Sequence, residues 1–415
     1  YKKCYDFYAN SYYQESIDDP SNVRITEDTT FGVKCYKIVA EDDIVRKVDS
    51  TGDSFSIGTA EGLGIFRDLV NGCNENLKMV DNSEGSEKVF VYYETGSSKS
   101  QLNATLTSDI DLTKLKDADE TELSWVPING YSGTFNGGGY TITVNNTYYS
   151  NNGDYYQGLF DTLDGATIKN LVVAGEETIS ESELDYCGGI ASQIKNERGV
   201  DTTFENCVNK RNITVSANVE NLGGFAGYTS SNNSETTNFV NCINLGTIKS
   251  EYSGMDSSLF SAAGFTTGAT SYKNCINAGN VTGASYLYDG DNVASGTVAG
   301  FDASVSAKFE DCINLGDISA NSYTAGDGKN HSTDKVYGFS SIENNKPSFT
   351  NCIDAGSANY PFTGFDDDIT VTYCYYNSDS YGSSSDYNAV AKTSDELCQL
   401  TTDNLPKWKI ATSRY

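Results

Sequence analysis

Apolar and polar positions along this chain follow a long period rather than a local one. The stretch Phe239-Val-Asn-Cys-Ile-Asn-Leu-Gly-Thr-Ile248 has copies at Phe204-Glu-Asn-Cys207-Val-Asn, Tyr272-Lys-Asn-Cys275-Ile-Asn, Phe309-Glu-Asp-Cys312-Ile-Asn and Phe349-Thr-Asn-Cys352-Ile-Asp. Six residues after each cysteine stands an apolar residue: Ile213, Ile248, Val281, Ile318 and the smaller Ala358. Four after it stands Gly246, Gly279, Gly316 or Gly356, whereas the first copy has Arg211. Successive cysteines are 35, 33, 37 and 40 residues apart. Regular spacing with drifting length means one structural unit per repeat and variable loops at its edge.

A second signature keeps phase with the first: Gly224-Phe225, Gly264-Phe265, Gly300-Phe301, Gly338-Phe339 and Gly364-Phe365. Each repeat therefore holds two or three short strands. None carries a 3.6-residue apolar period over ten or more positions, and Gly, Asn, Ser and Thr interrupt too often for helices. The pattern predicts an all-β, right-handed parallel β-helix, a β-solenoid with about three strands per rung and rungs ~4.8 Å apart.

In such a coil each position lies over its counterpart, so like side chains stack. Phe239 and Cys242 are three apart and would face opposite sides of an unbroken strand. If both point inward, a bend lies between them, and Asn241 can supply it by adopting left-handed backbone. The glycine at the next corner is expected to use positive φ. Ile276 is expected inside, where an Ile276→Asp charge would be severe.

Residues 56–175 carry a wider pattern: Thr59-Ala-Glu-Gly-Leu63, Leu106-Thr-Ser-Asp-Ile-Asp-Leu112, Trp125-Val-Pro-Ile128, Gly133-Thr-Phe-Asn-Gly-Gly-Gly-Tyr-Thr-Ile142, Gly158-Leu-Phe160 and Thr167-Ile-Lys-Asn-Leu-Val172. In these motifs the chain resembles the bacterial surface-protein family named for its Gly-Leu-Phe-Gly-like GLUG motif. Asp161 stands where Gly is usual in that family, and Asn136 where Asp is frequent. The resemblance implies a parallel β-helix and leaves function open, because a solenoid hosts many roles.

Residues 1–55 lie outside this pattern and are expected to form a small appended domain or a docking arm. Tyr1 to Tyr8 reads as a helix, and Gly32 to Val39 alternates like a strand. Residues 56–390 are read as the solenoid. A helix at about 59–71, capped by Thr59 and closed by Gly72, turns Leu63, Phe66, Leu69 and Val70 to one side and covers the solenoid end. Val89 to Glu94 reads as a strand, and Gly137-Gly-Gly139 as a tight turn. Residues 391–415 form a C-terminal cover with a short helix after Thr393.

Charge narrows the partners. With 57 acidic and 28 basic residues the net charge is −29, which disfavours nucleic acid and anionic membrane surfaces. No apolar run is long enough to span a bilayer. The chain opens at Tyr1, which leaves a removed leader or a trimmed end equally open.

There are 11 cysteines, an odd number. Cys207, Cys242, Cys275, Cys312 and Cys352 would stack ~4.8 Å apart, too far for the ~3.5 to 4.5 Å between the Cβ atoms of a disulfide, so they are expected as buried thiols. Cys4 with Cys35, and Cys374 with Cys398, are the disulfide candidates. Glycosylation sequons stand at Asn103, Asn145, Asn212, Asn232, Asn280 and Asn330.

Catalysis finds little support. His331 is the only histidine, so no histidine pair or histidine-based metal triad can be assembled. Asp42-Asp43, Asp366-Asp-Asp368 and Asp289-Gly-Asp291 are acidic runs without a complete calcium loop. No catalytic residue, metal or cofactor is assigned. The 29 tyrosines suit contact surfaces. The expected function is a non-enzymatic extracellular or cell-surface protein, structural or adhesive, either a rigid rod or the subunit of a self-associating filament. Its ligand would be a glycan or a host surface. The alternatives are a carbohydrate-binding or carbohydrate-processing β-helix and a non-catalytic passenger segment of a larger secreted protein.

Overall fold

The structure is a computed structural model. It describes residues 2–8, 16–17, 32–38, 44–49, 52–72, 77–81, 89–93, 99–115, 124–145, 147, 149–151, 154–180, 184–216, 219–230, 236–251, 261–283, 286–288, 292–294, 296–303, 307–324, 330–331, 335–341, 347–363, 369–382 and 389–400. The chain divides into two compact units, Tyr1–Asp109 and Ile110–Tyr415.

In the first unit, strand Lys2–Tyr8 pairs antiparallel with Gly32–Ile38. The aromatic-rich opening is thus a strand, not the expected helix; Tyr and Phe fit a pleated surface better than a helical one. Ile44–Asp49 and Gly52–Ile57 pair antiparallel, as do Leu77–Asp81 and Val89–Tyr93. Helix α1 spans Ala60–Asn71. The Thr59 hydroxyl accepts from the Gly62 amide at 3.1 Å, and Gly72 follows at φ 95°. Leu63, Phe66, Leu69 and Val70 are fully buried, and Phe66 meets Phe55 edge to face at 5.8 Å.

The second unit is a parallel β-solenoid. Its rungs contribute to three long sheets and one short one, in which Phe160–Leu163, Ala191–Lys195 and Ala226–Ser230 pair in parallel. The Phe sheet stacks Thr134–Asn136, Thr167–Lys169, Thr202–Glu205, Thr237–Val240, Ser271–Lys273, Lys308–Glu310, Ser348–Thr350 and Thr370–Thr372, all parallel. The Asn sheet stacks Thr141–Thr143, Val172–Ile179, Val208–Val215, Ile243–Asn244, Ile276–Asn277, Ile313–Asn314, Ile353–Asp354, Tyr375–Asn377 and Val390–Lys392. The Gly sheet stacks Asp154–Gln157, Leu184–Gly188, Val219–Gly223, Ser261–Ala263, Val298–Ala299 and Val336–Tyr337, the last four leading into Gly-Phe signatures.

Two aromatic columns fill the interior. Phe204, Phe239, Tyr272, Phe309 and Phe349 stack at 4.9 to 5.1 Å. Phe225, Phe265, Phe301, Phe339 and Phe362 form the second column, at 4.7 to 5.2 Å. The columns meet edge to face, as in Phe239 with Phe265 at 5.5 Å and 83°. Offset and edge-on contacts of this kind add ~0.5 to 1.5 kcal/mol per pair beyond burial. Tyr272 replaces a phenylalanine at no cost in unpaired polarity, because its hydroxyl donates to buried Asp302 at 3.0 Å. Asp302 also accepts from the Gly268 and Ala269 amides, each at 2.9 Å. Burial, reinforced by the Asp302 charge, pushes the Tyr272 hydroxyl well above the ordinary range.

The corner between the Phe and Asn sheets is built as the spacing requires. Asn170, Asn206, Asn241, Asn274, Asp311, Asn351 and Tyr373 all lie at φ 50 to 57°, so Phe239 and Cys242 both point inward and are fully buried. The Asn241 amide nitrogen donates to Asn206 Oδ1 at 2.9 Å, and Asn274 donates to Asn241 at 3.0 Å.

The next glycine works differently from expectation. Gly246, Gly279, Gly316 and Gly356 are absent from the positive-φ residues. A Cβ at Gly279 would collide with the carbonyl oxygen of Gly246, and one at Gly316 with that of Gly279. These glycines are required by close approach of stacked backbones rather than by handedness. Arg211, in the same column at the first copy, turns its guanidinium into a buried ion pair with Glu177, whose carboxylate also accepts from the Thr147 amide at 2.9 Å.

Candidate interaction face

From each ladder cysteine the strand alternates: the thiol points in, the next residue out, the next in. Ile276 is consequently half-buried on the outer surface, and Asn277 occupies the interior at 0 % exposure. This reverses the expectation for Ile276. The inner column is Asn209, Asn244, Asn277, Asn314 and Asp354, each fully buried. Asn209 donates to Asn244 at 2.8 Å, Asn244 to Asn277 at 2.9 Å, Asn277 to Asn314 at 2.9 Å and Asn314 to Asp354 at 3.0 Å. The amides also donate across the turn to the carbonyls of Gly246, Gly279 and Gly316. A polar column is tolerated inside the solenoid because its members satisfy one another.

Outside, the same alternation builds an apolar column in strict register: Val172, Val208, Ile243, Ile276, Ile313, Ile353, Tyr375 and Val390, of which Ile353 is already covered within the chain, at 9 % exposure. Two residues further along each strand runs a second outward column: Ala174, Lys210, Leu245, Ala278, Leu315 and Ala355. Leu245 is 46 % exposed and Leu315 51 %. The corner asparagines flank this pair of columns on one side. On the other side stand Asn212, Thr247, Asn280 and Asp317, exposed. Over the rungs of Ile243 and Ile276 none of these outward positions is charged. In a chain of net charge −29, a face with apolar columns and so little charge is the surface suited to contact.

The cysteine ladder is buried as expected. Cys242 Sγ lies 3.5 Å from the Phe204 carbonyl and 3.3 Å from that of Val240, and Cys275 and Cys312 repeat the arrangement. Burial pushes the Cys242 and Cys312 thiols well above the usual range, so they are neutral packing groups. Cys374 extends this ladder: the Cys352 amide donates to its sulfur at 3.4 Å. Cys374 is buried and Cys398 exposed, both as free thiols, which corrects the expected pairing. A place in the stacked column directs Cys374 into the core. The side chains of Cys4 and Cys35 lie outside those described; their strands align Cys4 with Tyr36 and Cys35 with Tyr5.

Among the sequon asparagines, Asn145, Asn212 and Asn280 are exposed, and each accepts at Oδ1 from a backbone amide of the following rung, Glu176, Thr247 and Asp317, at 2.9 to 3.0 Å. Asn103 is half-buried on strand Asn103–Leu106. Asn232 and the side chain of Asn330 lie outside the described residues, as do Asp42, Asp289, Asp291 and Asp366 to Asp368. Asn330–His331 forms a short antiparallel pair with Tyr323–Thr324. Among the described residues no group of three or more His, Cys, Asp or Glu side chains could hold a metal ion, and no helix is long and apolar enough to cross a membrane.

Fold and face together define a parallel β-solenoid with a laddered, sparsely charged outer sheet. No family model and no curated protein matches the chain. It is similar to a crystal structure titled "putative immunoglobulin A1 protease" from Bacteroides ovatus, at 14% identity and TM-score 0.46, over 88% of this chain and 91% of that one. At that level of similarity no functional argument passes from one protein to the other.

Proposed function

We propose that this chain is a non-catalytic extracellular or cell-surface protein, structural or adhesive, whose solenoid presents the outer face of the Asn sheet for contact. The observation that supports this reading is the in-register column from Val172 to Val390, apolar residues on the outward side of successive rungs of a strongly acidic chain. Sequence repetition inside a solenoid follows from stacking alone. Repetition of aliphatic residues at outward positions does not, because water would accept any polar side chain there. The exposed sequon asparagines Asn145, Asn212 and Asn280 are compatible with an extracellular setting.

Antibody labelling of intact source cells, paired with electron microscopy of the native material, tests the reading. Surface label with rods or filaments is the expected result. Label seen only after the cells are opened would overturn it.

A further inference from the structure

The outward column beside the aliphatic ladder alternates in size: Leu245, Ala278, Leu315, Ala355 on successive rungs. An alternating column of four is complementary to itself when reversed about its centre. A two-fold axis lying along the strands, between the Ile276 and Ile313 rungs, turns the face of one copy onto that of another with the solenoid axes antiparallel. It sets Leu245 of one copy against Ala355 of its mate, and Ala278 against Leu315. The same operation pairs the neighbouring column throughout: Ile276 with Ile313, Ile243 with Ile353, Val208 with Tyr375, and Val172 with Val390. In the second column each leucine meets an alanine, knob against hole, and the register that achieves this also overlaps the whole ladder.

We propose that the occupant of this face is a second copy of the chain, docked antiparallel in that register as an isologous dimer. This rests on the reading of the outer Asn sheet as a contact surface, and not on where the protein is displayed. Three observations favour a second copy. Only a partner with the same ~4.8 Å repeat can meet every rung alike. The carboxylates on the face, Glu176, Asp311 and Asp317, stand in its flanking columns, and in this register none meets another carboxylate; the other charges, Lys210 and Lys392, are basic and lie in the outer rungs of the second column. The ladder is roughly 34 Å long and, with its flanking columns, roughly 20 Å wide. It offers roughly 700 Å² per copy, near the ~800 Å² that stable interfaces bury on each side.

The test is sedimentation of the full chain over a concentration series, with three variants. Leu315→Ala sets two holes against each other and should weaken dimerisation about tenfold. Ala278→Leu sets two knobs against each other and should weaken it similarly. The double variant Ala278→Leu with Leu315→Ala exchanges knob and hole and should restore the wild-type constant. These positions point outward, and unchanged circular dichroism checks that each variant is folded. A wild-type chain that remains monomeric at high concentration overturns the dimer. So does an Ala278→Leu variant that associates more strongly, since that is the mark of unspecific apolar adhesion. Glycan binding by a strictly monomeric chain would also overturn it, while leaving the outer sheet as a contact surface.

Discussion

Asp354 is the one member of the inner column that can titrate. It accepts from Asn314 at 3.0 Å, from the Gly356 amide at 3.1 Å and from the Tyr381 hydroxyl at 2.9 Å. Burial nevertheless raises its pKa to about 7. A carboxyl whose pKa is raised on folding binds its proton more tightly in the native state. The stability tied to that proton is full below the unfolded pKa of ~4 and is lost as pH rises through about 7. Asp161, raised to about 6 by burial, acts in the same direction. Asp354→Asn continues the asparagine column and should remove much of this dependence. In urea unfolding the wild type should be less stable at pH 8 than at pH 5 by a few kcal/mol, on the order of 1.4 kcal/mol for each tenfold gain in proton affinity on folding. The variant should lose clearly less. Equal losses in both would exclude Asp354 as the source.

Elements show how one strand position divides interior from surface. Ile248 is fully buried, whereas Ile276 is half-buried and outward. Ile248→Asp places an unpaired charge among Ile213, Val281 and their neighbours and should cost about 3 kcal/mol or more. Ile276→Asp should cost below about 1 kcal/mol in monomer stability. Thermal and urea unfolding of the two variants measures the contrast, and similar losses would contradict the alternation. At the corner, Asn241 holds φ 54°. Asn241→Ala should destabilise by roughly 1 to 2 kcal/mol through the left-handed backbone, and Asn241→Gly by less.

At the scale of the molecule, charge opposes assembly. Two copies of net charge −29 repel each other, and salt screens that repulsion over a Debye length of ~8 to 10 Å. Dimerisation through an apolar face should therefore strengthen from low to moderate salt. A dimer held by ion pairs would weaken instead, so sedimentation at two ionic strengths separates the two.

Repetition made much of this architecture legible. Stacked phenylalanines, the asparagine corner, buried cysteines and the Thr59-capped helix follow from spacing, because a solenoid repeats its environment as it repeats its residues. The candidate face was not legible, since its aliphatic residues read as core. Cys-Ile-Asn presents an apolar, an apolar and a polar residue, and hydrophobicity alone places the isoleucine inside. The backbone direction leaving the left-handed corner sends the asparagine inward instead. Gly246 and its counterparts likewise looked like turn residues, and only the apposition of successive backbones identified them as points of close approach. Local sequence by itself determined that the chain coils with a fixed repeat and bends at Asn241. Tertiary structure decided which side of each strand faces water, because that depends on how neighbouring rungs satisfy the buried amides of the inner column.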